Sequence, residues 1–153
     1  MPSRNTRAES QESFDARTSQ DPEKLRGLAL NRDWMVRYFV AENPVTPQEA
    51  LTRLASDPKV DVVLVALQNR NVPESILRES VDKDSLHRGI AANQKCPVDL
   101  LAILAQSKDE DVRGEVADNP ATPFNILEVM KEDGVQSVVQ AATQNYNRKL
   151  DWI

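Results

Sequence analysis

The chain has 153 residues, 19 Lys plus Arg against 24 Asp plus Glu, and a formal net charge of -5. That length holds one domain, or one domain with a tail, and no run approaches the roughly 20 apolar residues of a membrane span. A single Cys excludes a disulfide framework and fits a reducing cytoplasm, while the acidic balance weighs against non-specific nucleic-acid binding, which needs many Lys and Arg.

Residues 1–20 are polar, with Phe14 as their only large apolar side chain. Such a stretch buries too little surface to offset its ordering entropy and is expected to be a disordered tail. Its charges cancel, so the acidic excess belongs to residues 21–153. A solvated leader is the simpler reading; the functional one makes the tail a short binding arm anchored by Phe14.

From residue 21 onward the chain repeats. Asn followed four residues later by Pro recurs as Asn43 and Pro47, Asn69 and Pro73, Asn93 and Pro97, Asn119 and Pro123, with Pro-to-Pro steps of 26, 24 and 26. Asn145 extends the series. A Leu stands four after each of these prolines (Leu51, Leu77, Leu101, Leu127), with Leu25 one period earlier. Two further apolar columns precede each Asn: Val36, Val62, Leu86, Val112, Val138, then Val40, Ala66, Ile90, Val116, Ala142. Columns that hold register over five units mark a repeat architecture.

Each unit reads as two short helices. Thr46-Pro47-Gln48-Glu49 has the order of a capping box, with Thr46 as N-cap, Pro47 at the first helical position and Glu49 reaching back. Leu51, Leu54 and Ala55 then share one face, Asp57-Pro58 turns, and a second helix over about 59–68 carries Val62, Val65 and Ala66 inward. Asn69 suits a left-handed residue closing that helix. Helices of about ten residues are marginal alone, so they persist only by stacking.

The expected fold is therefore an all-α solenoid of about five two-helix repeats (about 21–46, 47–72, 73–96, 97–122 and 123–148) with a stub at 149–153. In the stub, Leu150, Trp152 and Ile153 match Phe124, Ile126 and Leu127 one period on. It is expected to cap the last repeat; the alternative is a sticky end supporting a weak homo-oligomer.

The run Asp111-Val112-Arg113-Gly114-Glu115-Val116-Ala117-Asp118-Asn119-Pro120-Ala121-Thr122-Pro123, echoed by Val36 to Pro47, resembles the leucine-rich repeat variant family. The resemblance covers about 21–153. It implies a right-handed, HEAT-like superhelix in which α-helices alternate with short 3₁₀ helices. Some members carry an iron–sulfur module on a Cys cluster; Cys96 alone departs from that pattern, and the family implies a scaffold without shared chemistry.

The residue inventory points to no enzyme, no cofactor and no metal. His87, the only His, lacks ligand partners, and Cys96 replaces the Thr of two other units as a small structural residue. The four Gly form no phosphate loop. The Asn column is expected to satisfy backbone groups between layers. Arg37 and Arg113 stand four after Asp33 and Asp109, a spacing for surface ion pairs. Candidate contacts come from second-helix positions that do not repeat, where Trp, Tyr and Arg are the types that dominate interfaces: Trp34, Arg37, Tyr38, Leu64, Arg88 and Arg113. Trp34 and Tyr38 have a structural alternative, covering the first unit as an end cap. The expected partner is a protein or peptide; a nucleic-acid-binding repeat protein is the alternative, short of a basic stripe.

Overall fold

Prolines and asparagines divide the chain into paired helices, and the computed structural model describes residues 9–153 of it. In chain order the helices are α1 (Gln11–Thr18), α2 (Pro22–Leu28), α3 (Trp34–Glu42), α4 (Gln48–Leu54), α5 (Val60–Gln68), α6 (Glu74–Ser80), α7 (His87–Ala91), α8 (Val98–Leu104), α9 (Glu110–Asp118), α10 (Phe124–Met130) and α11 (Gln136–Leu150). From α2 on they stack as two-helix layers of a solenoid. The predicted Leu and Val columns are buried in one continuous core, including Leu51, Leu77, Leu101 and Leu127 from the first helices and Val36, Val62, Val112 and Val138 from the second. No described helix is long and apolar enough to cross a membrane.

The tail expectation is corrected for residues 11–18, which form α1; residues 1–8 lie outside the described ones. The Ser10 hydroxyl oxygen accepts from the Ser13 amide at 3.1 Å and starts the helix. Ser13 and Ala16 are buried, and α1 packs along α3. Small side chains bring its backbone within reach of Asn43, whose amide donates to the carbonyls of Ala16 (2.9 Å) and Ser19 (3.1 Å). These contacts offset the ordering entropy that composition alone left uncompensated. α1 thus takes the second-helix place in the layer before α2 and α3.

The layers are fastened by the Asn column. Asn69 donates to Ala41 O (2.8 Å) and Asn43 O (2.9 Å), Asn93 to Leu67 O (2.6 Å) and Asn69 O (3.1 Å). Asn119 donates to Ala91 O and Asn93 O (both 2.7 Å), Asn145 to Ala117 O (2.9 Å) and Asn119 O (2.8 Å). Each amide takes up one carbonyl left over at the end of the preceding second helix and a second, that of the preceding Asn, which also accepts a turn amide such as Cys96 N on Asn93 O at 2.9 Å. The side-chain oxygens of Asn43, Asn69, Asn93 and Asn119 also accept a backbone amide two residues on, as Ala121 N does to Asn119 at 2.8 Å. No described residue has positive φ, so the left-handed closure expected for Asn69 is not used. It sits at φ -66°, ψ 128°, extended, which frees its side chain to reach across the layer.

The capping box is also corrected. Pro47 itself is the N-cap, without a side-chain cap bond. Thr46 turns back instead, its buried hydroxyl donating to Val40 O at 2.6 Å, as Thr122 does to Val116 O. The resemblance implied a 3₁₀ helix in every unit, yet among the described residues the one 3₁₀ stretch is Asp84–Leu86, leading into α7. That unit is two residues short, and the tighter winding takes up the difference. Gly89 makes this possible: a Cβ there would lie 2.9 Å from the Leu64 carbonyl oxygen, so only glycine lets α7 sit this close to α5.

At the other end the stub does not cap. α11 runs straight through Asn145 to Leu150, leaving Trp152 and Ile153 90% and 91% exposed. The reason is local: no Pro follows Asn145, so nothing ends the helix where the other second helices stop.

Successive second helices touch along their length, whereas successive first helices barely meet. The stack therefore curves with α1, α3, α5, α7, α9 and α11 on its inner side.

Candidate interaction surface

The inner face is a series of parallel helices, each carrying an i, i+3, i+4, i+7 stripe that faces solvent apart from the buried Gly89. On α3 the stripe is Met35, Tyr38, Phe39 and Glu42; on α5 it is Asp61, Leu64, Val65 and Gln68. The next layer offers Ser85, Arg88, Gly89 and Ala92, and α9 offers Asp111, Gly114, Glu115 and Asp118. α11 adds Ser137, Gln140, Ala141 and Gln144.

Three of the predicted residues meet at the α3–α5 end. Trp34, 37% exposed, meets Tyr38 edge to face with ring centroids 6.5 Å apart. Tyr38 meets Phe39 in the same manner at 5.8 Å. The Lys59 ammonium lies 4.7 Å from the centroid of the Trp34 ring. Leu64 is half-buried beside them, and Met35 and Val60 are exposed at the edge. Since α1 covers the first layer, the aromatic pair is free of the end-cap role. A depression of about 200 Å³ lies between Tyr38, Glu42, Val65 and Gln68, and one of about 440 Å³ adjoins it along Glu42, Gln68, Arg70 and Ala92. Both are shallow clefts between neighbouring layers.

Arg88 lies on the same face one layer on. Its Nε contacts Glu115 at 3.2 Å and its Nη1 approaches Asp111 at 3.7 Å, so it bridges α7 to α9 while staying exposed.

Arg37 and Arg113 go elsewhere, and their expected pairing with Asp33 and Asp109 is corrected. Those two carboxylates cap α3 and α9, accepting from Met35 N and Asp111 N. Arg37 instead clamps Asp57 with Nε–Oδ2 at 2.6 Å and Nη2–Oδ1 at 3.1 Å, and donates to Asn31 O. Arg113 repeats the clamp on Asp133 at 2.8 and 3.1 Å, and donates to Ser107 O. Both guanidiniums are held above their ordinary pKa, chiefly by the hydrogen bond to the partner carboxylate and against the effect of burial. Arg113 in turn holds Asp133 below the usual carboxylate range, helped by the Val135 amide. Their planar forks are consumed within the stack, as second helices are tied to the turn of the following layer.

His87 occupies the same column and donates from Nε2 to Val81 O at 2.6 Å, with Ser107 where the clamp acid would be. Sequence reasoning missed these clamps because the partner lies 20 residues away in the chain, a distance that helix periodicity does not address. The recurrence of Asp57 and Asp133 at that same interval after each Arg was the available signal.

Cys96 is buried, and burial followed by the nearby Asp99 charge pushes its thiol up to about 12. Such a thiol is protonated and unreactive at neutral pH. Among the described residues, no three His, Cys, Asp or Glu side chains converge as metal ligands.

No curated protein and no solved structure matches the chain. The family model described as leucine rich repeat variant matches residues 34–59, which span α3, α4 and the turn after it. The Asn, Leu and Val columns of that segment recur in the layers after it, so the segment similar to a leucine rich repeat variant unit lies in a helical solenoid of like layers.

Proposed function

We propose that the solenoid is a non-enzymatic scaffold that binds a protein or peptide partner along its inner, second-helix face. The observation that carries this is the group of Trp34, Tyr38, Leu64, Met35 and Val60, gathered at one end of an open concave surface. Aromatic side chains held by their neighbours present contact area at little entropic cost. The exposed apolar residues of the first helices, Val98, Ile103 and Val129, lie on the outer side and include no aromatic. A nucleic-acid partner is the weaker reading, because the two arginines that would have extended a basic stripe are consumed in the Asp57 and Asp133 clamps. A buried free thiol suits the reducing cytoplasm, where the scaffold would work.

The test is affinity capture from a host lysate with wild type, Trp34→Ala/Tyr38→Ala, and the outer-face variant Ile103→Ser/Val129→Ser. Capture lost only in the inner-face variant, with unchanged thermal melting, is the expected result. Capture that survives it, self-association through Leu150, Trp152 and Ile153 alone, or recovery of nucleic acid in place of protein overturns the proposal.

A further inference from the structure

We infer that the inner face takes a basic segment of chain with an apolar residue at one end, the apolar residue seated at α3–α5 and its Lys or Arg side chains laid over α7–α9. This rests on the inner face being the binding face and adds the chemistry of the occupant. The apolar end is the cluster just described. Two layers on, the face changes character. Asp84 heads the α7 layer, and Glu110, Asp111, Glu115 and Asp118 line α9, all carboxylates with Asp84, Glu110, Asp111 and Asp118 exposed.

The compensating charge is small. Arg88 serves Glu115 and Asp111, and Arg148 reaches Asp118 from α11 at 3.2 Å. Arg113 and His87 point into the stack. Lys108 and Asp109 share a depression with Asp84, so six carboxylates stand against three cations and leave this stretch with three unbalanced negative charges. Carboxylates lying side by side over a low-dielectric wall raise the local concentration of cationic groups and discriminate against anionic ones.

The floor between the two ends is low. Gly89 stands where Phe39 projects in the first layer, Gly114 where Tyr38 and Leu64 do, and Ala92 where Glu42 and Gln68 do, and an extended backbone fits above small side chains. Layers of packed helices are about 8–10 Å apart. The apolar cluster and the α9 carboxylates are two to three layers apart, hence about 20–25 Å, which about seven residues of extended chain span. That distance is a property of the stack and sets the register of the ligand.

The test uses fluorescein-labelled synthetic peptides and the full-length chain. The first probe has Phe and Leu at one end, seven Gly/Ser residues, then four Lys. Controls replace Lys by Glu, replace Phe and Leu by Ser, or shorten the spacer to two residues. Fluorescence anisotropy should show binding of the first probe at least tenfold tighter than of any control, weakening at least tenfold between 50 and 500 mM salt. Asp111→Asn/Glu115→Gln/Asp118→Asn should weaken it by a similar factor and leave the Glu probe unchanged. Trp34→Ala/Tyr38→Ala should weaken the first probe but not the Ser control, which locates each end. Equal binding of the Lys and Glu probes, indifference to the triple substitution, or preference for a single-stranded oligonucleotide overturns the inference. Loss of lysate capture in Trp34→Ala/Tyr38→Ala together with no Lys preference retains the scaffold function and rejects only the basic occupant.

Discussion

Replacing Asn119 interrogates the device that joins the layers. Its side chain is buried and makes three hydrogen bonds: two donated across the layer at 2.7 Å, and one accepted from Ala121 N at 2.8 Å. Asn119→Ala removes all three, at about 1 kcal/mol each, and strands the buried carbonyl of Ala91, while that of Asn93 keeps the Cys96 amide, so a loss of about 3–5 kcal/mol is expected. Asn119→Asp separates the two roles. A carboxylate still accepts from Ala121, but it has nothing to donate and turns negative charge toward two carbonyl oxygens. Burying that charge unpaired costs more than deleting the side chain, so Asp is expected to be worse than Ala by at least about 1 kcal/mol at pH 7. Gln144→Ala, on the exposed face of α11, serves as the neutral control. Urea and thermal unfolding followed by circular dichroism at 222 nm measure the three variants. At about 2–4 °C per kcal/mol, Asn119→Ala should melt about 6–20 °C below wild type. An Asp variant as stable as wild type, or an Ala variant within about 0.5 kcal/mol of it, would refute the ladder as the fastening between layers.

Two glycines of the second helices should respond with opposite sign. Gly89→Ala drives a Cβ to 2.9 Å from the Leu64 carbonyl oxygen and 3.3 Å from its Cα, so α5 and α7 must part; a loss of about 1–3 kcal/mol is expected in urea unfolding. Gly114→Ala meets nothing within 4 Å and sits inside α9, so it should gain about 0.5–1 kcal/mol from helix propensity alone. Because Asp133 titrates below its unfolded value, the stability from its clamp is present above the unfolded carboxylate pKa, about 3.9, and disappears as pH falls through the lower folded pKa. Asp133→Asn should accordingly be less stable than wild type at pH 7, and the gap should close as unfolding is repeated toward pH 2; a gap that stays constant removes the clamp from the account. Cys96 should ignore a thiol-reactive disulfide reagent in the native protein at pH 8 and react fully in denaturant, and prompt labelling of the native state would contradict its burial.

The clamp on Asp133 shows why part of the surface was hard to read. Arg113 carries the same sequence neighbourhood as Arg37 and, by residue type, looks available to a ligand. What removes both from the surface is an acid on the next turn of the stack, and helical periodicity reports on neighbours three and four residues away. Trp34, Tyr38, Leu64 and Arg88 stand in columns that do not repeat, and such columns fall on the solvent side of a repeat. The carboxylates of α9 were visible in the sequence too, though their alignment with Arg88 required the layers to be stacked.

The repeat, its period, the core columns and the helical nature of every layer follow from the sequence alone, since Leu, Val, Asn and Pro each have one physical use at their place in a short helix. The Asn column could be assigned to the backbone of neighbouring layers on the same grounds. Tertiary structure decided the ends and the face. α1 exists because Asn43 and the flank of α3 hold it, with Ser13 and Ala16 too small to register as an apolar stripe. The stub around Trp152 stays exposed because α11 has no proline to stop it, so those residues never enter the register of a sixth first helix. Which helices line the inside is set by how closely successive layers approach on each side, a distance governed by pairs such as Gly89 and Leu64 that no single unit contains.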